Sequence, residues 1–271
     1  MIRQAAVAGQ FYPAWPKELK ETIGYMVDKD AARVDAIGVI SPHAGYIYSG
    51  PVAGAVFSRI IFKDTFILIG PNHRGLGKPF SIMTEGSWKT PLGEVEINSE
   101  IAKAILKEGS GLEEDSLAHR YEHSLEVQVP FLQYFKPNVM IVPIMLSQGS
   151  VSTYENIGRA VAAVLKKPGN EAIIVASSDM THYEPHEKAR EKDNKAIEAI
   201  LDLDAGEMVK RITQFSITMC GYAPVISLIT AAKEMGAKKA ELVKYQTSGD
   251  TSGDFSSVVG YAGIVIKQAG K

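Results

Sequence analysis

Apolar residues in this chain gather in short unbroken runs, separated by stretches where they recur at helical spacing. Residues 36–41 (AIGVIS), 65–70 (TFILIG) and 172–177 (AIIVAS) lack the alternation of a half-exposed strand, so each predicts a strand covered on both faces. Residues 138–146 (NVMIVPIML) predict a further buried strand, in which Pro143 marks an edge or a bulge. Helical spacing predicts helices at 51–61, with Pro51 near the first turn, and at 98–108, 122–135, 152–167, 185–201, 204–213 and 223–235. The helix at 152–167 runs into Lys-Lys-Pro-Gly, a stop signal. Residues 79–97 read as β-rich, with turns at Glu85-Gly86 and Pro91-Leu92-Gly93, and strands at 240–247 and 257–267 close the chain. The duplicated TSGDTSGD at 247–254 predicts a glycine-rich loop. With no Pro/Ser linker and no internal repeat, the pattern predicts one α/β domain over residues 1–271. Its mixed central β-sheet is flanked by helices on both faces.

Composition narrows the class. A chain of 271 residues that is 45% hydrophobic has ample material for one core. A formal net charge of −2 gives no electrostatic case for nucleic acid or for an anionic membrane surface. No window approaches the ~20 apolar residues of a membrane span. The first fifteen residues lack the long apolar region of a signal peptide. Cys220 is the single cysteine, which excludes an intrachain disulfide. A cytoplasmic protein is expected.

The chemistry concentrates at strand ends. Three buried runs lead into histidines: His43 in SPHAGY, His73 in GPNHRG and His182 in SSDMTHY. In an open α/β sheet, ligands bind in the crevice beyond the carboxyl ends of the strands. Histidines placed there converge even when far apart in sequence, which points to a metal or acid/base site. The competing reading is loop histidines with local hydrogen bonds. Asp179, three residues before His182, fits either a group that orients an imidazole or a cap on the following segment. His119 and His123 have the spacing of one helical face, half of a zinc site. If the helix begins near Glu122, His119 stays in the loop and His123 is the site residue. Cys220, in MCGYAP just before a helix, is either an inert buried thiol or a metal-binding thiolate. Two imidazoles and a thiolate make a three-ligand set that iron(II), copper and zinc all accept. His186, Asp250 and Asp254 carry little weight. The sequence contains no GxGxxG, Walker, GxSxG or HExxH motif, which counts against dinucleotide, P-loop, serine-hydrolase and zincin chemistry.

Taken in order, AGQFYPA, SPHAGYIYSG, GPNHRG, WKTPLGEV, EHSLEVQVPFLQ, SSDMTHY and CGYAP resemble the Memo family, and the likeness runs nearly end to end. The resemblance implies a single domain related to the class III extradiol, LigB-type, non-haem iron dioxygenases. It implies metal ligation by His43, His73 and Cys220, with Asp179, His182 and His123 as acid/base groups of the same pocket. Extradiol dioxygenases use two histidines and a glutamate. Here a cysteine stands in the carboxylate's place, so ring cleavage is not carried over. The resemblance implies a metal-dependent redox protein using iron or copper, with zinc a further metal. Its alternatives are a non-catalytic copper- or iron-binding protein and a phosphopeptide-binding module. The substrate, a small molecule or a peptide, is left open, and family context implies a radical SAM protein as a partner.

Overall fold

The computed structural model describes residues 1–268. Its strands in chain order are β1 (Ile2–Arg3), β2 (Ala36–Ser41), β3 (Thr65–Pro71), β4 (Phe80–Ile82), β5 (Ser87–Thr90), β6 (Gly93–Glu96), β7 (Glu113–Glu114), β8 (Met140–Leu146), β9 (Ile173–Ser177), β10 (His182–Glu184), β11 (Ala240–Thr247) and β12 (Val258–Lys267). The helices are α1 (Pro16–Met26), α2 (Tyr46–Ser58), α3 (Ser99–Lys107), α4 (Val129–Phe135), α5 (Val151–Leu165), α6 (His186–Leu201), α7 (Ala205–Phe215), α8 (Tyr222–Glu234) and the single turn α9 (Gly249–Ser252).

One large mixed sheet runs in the order β10-β12-β2-β9-β3-β8-β4-β7, and β11 pairs with β12. Its centre, β2-β9-β3-β8, is parallel. The flanks are antiparallel, through β12 on β2 and β4 on β8. The continuous apolar runs are the parallel strands, and every residue of β2, β3 and β9 is buried. Helix α8 packs on β9, β3 and β2, whereas α2 packs on β11 and β12. A Cβ on Gly38 would stand 2.5 Å from Leu228 of α8, and one on Gly263 would stand 2.4 Å from Val56 of α2. Glycine at these positions lets each helix lie close against the sheet. The predicted α/β architecture is the observed one.

Several local expectations give way, each for a physical reason. Pro143 sits neither on an edge nor at a bulge, because β8 lies between β3 and β4 in unbroken register. The Pro143 carbonyl accepts from Met83 N–H just past the end of β4, so the missing N–H falls where that ladder has stopped. Helix α2 starts at Tyr46, not at Pro51, because Gly45 O receives the first-turn N–H groups of Tyr48 and Ser49. Pro51 therefore lies inside the helix. Residues 122–125 are not helical; a 3₁₀ turn at Glu126–Gln128 precedes α4. There the Glu122 carboxylate takes the N–H groups of His123 and Ser124, a side-chain alternative to the helical ladder. The 247–254 segment contains α9, with Asp250 accepting from Thr247 N–H. The β-rich stretch 79–97 supplies β4, β5 and β6, with β5 and β6 pairing around the predicted Pro91-Leu92-Gly93 turn. Helix α1 and strand β1, which joins β5 and β6 in a small separate sheet, had no counterpart in the sequence pattern. Among the described residues, no helix is long and apolar enough to cross a membrane.

Candidate metal centre

Three neighbouring parallel strands deliver the site. β2 and β9 end in register, with Ser41 opposite Ser177, and β3 runs beside β9. The first residues beyond these ends include His43, Asp179 and His73. Turn 122–125 lies against the end of β3, where Ser124 Oγ donates to the Pro71 carbonyl at 3.0 Å, and it brings His123 into the same crevice. The result is a cluster of His43, His73 and His123, with one potential ligand atom of each within 4.8 Å of the others. The ring centroids of His43 and His73 are 5.1 Å apart, and those of His73 and His123 are 4.9 Å apart in a stack. Phe11, from the AGQFYPA segment, packs against His123 at 4.7 Å. His43 is buried and His73 exposed, so the cluster opens to solvent on the His73 side.

Hydrogen bonds decide which nitrogen each ring offers. Ser177 Oγ donates its one proton to the Ser124 carbonyl at 2.6 Å, and so accepts from His43 Nδ1 at 2.9 Å. Gln128 Nε2 donates to Ser177 Oγ and to the Pro42 carbonyl, fixing that arrangement. The Nδ1 atoms of His73 and His123 lie 3.0 and 3.1 Å from Glu122 Oε1. A carboxylate can only accept, so these rings carry their proton on Nδ1. All three Nε2 atoms are left as unprotonated donors for a metal, as a cation site requires.

Charge follows the same logic. Burial would raise the Glu122 pKa, but hydrogen bonds from His123 and His73 outweigh it and hold the carboxyl far below its usual range. Burial drives the His43 pKa well below its ordinary value, reinforced by the neighbouring imidazoles, so the ring is neutral. Asp179 has fewer donors: its Oδ1 accepts from His43 N–H at 2.7 Å, and burial pushes its pKa up.

Cys220 is not one of the three clustered groups, but its Sγ lies 3.2 Å from His43 Nε2 and accepts from Asp179 N–H at 3.3 Å. Glycine makes this approach feasible, since a Cβ on Gly221 would stand 2.3 Å from the Ser177 carbonyl oxygen. Burial raises the thiol pKa, and the charge of Asp179 adds to it. His182 lies at the rim. Its Nδ1 donates to the Thr218 carbonyl at 2.9 Å, and it is near enough that its charge opposes protonation of His43.

The structure thus brings together His43, His73 and His123 and places Cys220 and Asp179 against His43. His119 stays outside, buried beside Ser81 and Trp88, and His186 bonds Thr247 away from the site. Sequence reasoning missed Glu122, Ser177 and Gln128. The signal for Glu122 was its place directly before His123, between that ring and the strand-end loop.

An α/β domain with a histidine-lined crevice at the ends of its parallel strands is therefore the class of protein in view. Residues 3–265 match the family model described as "Memo-like protein", and the chain belongs to that family. A MEMO1 family protein of Methanococcoides burtonii is 47% identical over 98% of this chain and 100% of its own length. Relatives from Methanopyrus kandleri and Pyrobaculum aerophilum are 42% and 43% identical, over 99% and 98% of this chain and 100% and 99% of their own. The crystal structure of the uncharacterized protein JW3007 from Escherichia coli K12 superposes with a TM-score of 0.56 at 14% identity, over 83% of this chain and 98% of that one. That likeness is one of fold.

Proposed function

We propose that this protein is a transition-metal protein of redox type, with iron or copper held by His43 and His73. His123 and Cys220 stand as further donors beside that pair. One observation carries the reading: three imidazoles with ligand atoms within 4.8 Å of one another, each with Nδ1 committed to a protein acceptor. Imidazole and thiol donors suit borderline and soft metals, whereas magnesium and calcium take oxygen. Such a metal, when bound, supplies electron transfer or Lewis acidity.

The chain's own residues supply the remainder. Ser177 and Gln128 hold the His43 ring, and Phe11 packs against the His123 ring. His182, with Nδ1 tied to Thr218, presents Nε2 for proton transfer at the open rim. Asp179 holds the His43 backbone and sets the potential around the thiol.

Elemental analysis of protein purified without oxygen tests the reading. Wild type should retain about one iron or copper per chain, and His73→Ala should retain none. Equal metal content in the two would sink it. Cys220→Ser should weaken copper(I) binding far more than magnesium binding, and unchanged copper affinity removes Cys220 from the centre. A second reading, metal holding without catalysis, is favoured by the soft Cys220 thiol against His43. Oxygen uptake by the metal-loaded protein with reductant separates the two.

A further inference from the structure

Glu122 has a side chain with no exposure to solvent, yet no lysine or arginine donates to its carboxylate among the described residues. Its Oε2 accepts from His73 N–H at 2.7 Å. Its Oε1 accepts from the N–H groups of His123 and Ser124 at 2.9 and 3.0 Å, and faces Nδ1 of both His73 and His123. One carboxylate therefore holds the backbone and the ring of each residue, and these come from separate segments, the exit of β3 and the turn before α4. The nearby guanidinium of Arg3 donates to the Glu122 backbone carbonyl and pairs with the Glu126 carboxylate, so the Glu122 carboxylate has no cation of its own. A buried anion in that state is costly, and the two rings that meet it at Nδ1 present their Nε2 atoms to a cation that can compensate it.

We propose that Glu122 is the positioning residue of the metal centre, fixing the tautomer and the orientation of His73 and His123 together and supplying the negative charge that a divalent cation balances. The proposal rests on the metal-centre reading and goes beyond it by placing the control of affinity in a residue that does not touch the metal. Removing the charge therefore weakens binding even when every ligand is present. Carboxylates that hold metal-bound histidines contribute in this way.

Two measurements test it. The first needs no variant. Long-range ¹⁵N–¹H correlation spectra of the metal-free wild type, at about pH 8.5 where an ordinary imidazole is neutral, should report His73 and His123 as Nδ1–H. An Nε2–H signal from either ring overturns the proposal. The second is cobalt(II) titration, followed by visible absorption, of wild type, Glu122→Gln and His43→Ala. Glu122→Gln should lose about 10–100-fold in cobalt affinity and show an Nε2–H fraction on at least one ring. Wild-type affinity in Glu122→Gln, with binding lost in His43→Ala, overturns the role of Glu122 and leaves the metal centre standing. Wild-type affinity in His43→Ala, or no cobalt binding by wild type, overturns the centre and the proposal with it. If Glu122→Gln does not fold, the tautomer spectra of the wild type decide.

Discussion

Two buried glutamates four residues apart, Glu122 and Glu126, do opposite work. Both have carboxylates shut away from solvent, and both gather backbone N–H groups. Glu126 is paired with the guanidinium of Arg3, which also lies over Trp88. It accepts as well from the N–H groups of Ala6 and Val7 and from the Tyr12 hydroxyl. Its charge is balanced by a permanent cation, and the cluster ties the N-terminal segment to the 119–126 turn. Among the described residues, the Glu122 carboxylate has only imidazoles for charged partners, since Arg3 reaches its backbone carbonyl and not its side chain. The same contrast separates His119, sealed under Arg3 beside Trp88, from His123 in the cluster. A buried charge with a permanent partner is architecture, whereas one whose partners are metal ligands is a site.

The largest effect should come from breaking the balanced side. Glu126→Ala leaves Arg3 buried without its anion and should cost about 3–5 kcal/mol in urea unfolding. A loss under about 1 kcal/mol would mean that the pair is not what holds the segment. Tyr12→Phe removes one donor to the same carboxylate and should cost about 1.5–3 kcal/mol. The folded variant should keep its cobalt affinity, since Tyr12 touches Glu126 and not Glu122. Coupled losses of stability and metal affinity would erase the distinction between the two glutamates.

A third effect is spread over pH, shallow at any one value. Burial, with Arg3 next in weight, lowers the His119 pKa from its ordinary 6.5 to about 3. The unfolded chain binds the proton more readily, so this stability is present above 6.5 and is lost as pH falls toward 3. Wild type should lose up to about 1.4 kcal/mol per pH unit more than His119→Gln across that window. Parallel slopes in the two proteins would place the acid sensitivity elsewhere.

Much of the fold was legible because continuous apolar runs such as FILIG and AIIVA fit only a sheet covered on both faces. The Gly/Pro exits after those runs then located His43 and His73. Segment 122–135 was misread as helix from its start because periodicity does not register a carboxylate capturing its own backbone. Pro143 was misread because its cost depends on where the neighbouring strand ends. The choice between His119 and His123 turned on which ring meets Arg3 and Trp88, residues distant in sequence.

The sequence by itself determined the parallel centre of the sheet, the strand-end placement of two histidines and membership of the Memo-like family. These follow from local pattern and from motifs in order. The resemblance already expected Cys220 and His123 in the pocket of His43 and His73. Only the tertiary structure decided that His123, rather than Cys220, is the third member of the tight cluster, that Cys220 Sγ reaches His43 Nε2, and that one carboxylate orients two rings. Those facts depend on contacts between segments tens of residues apart, where strand order and register, not spacing along the chain, set the distances.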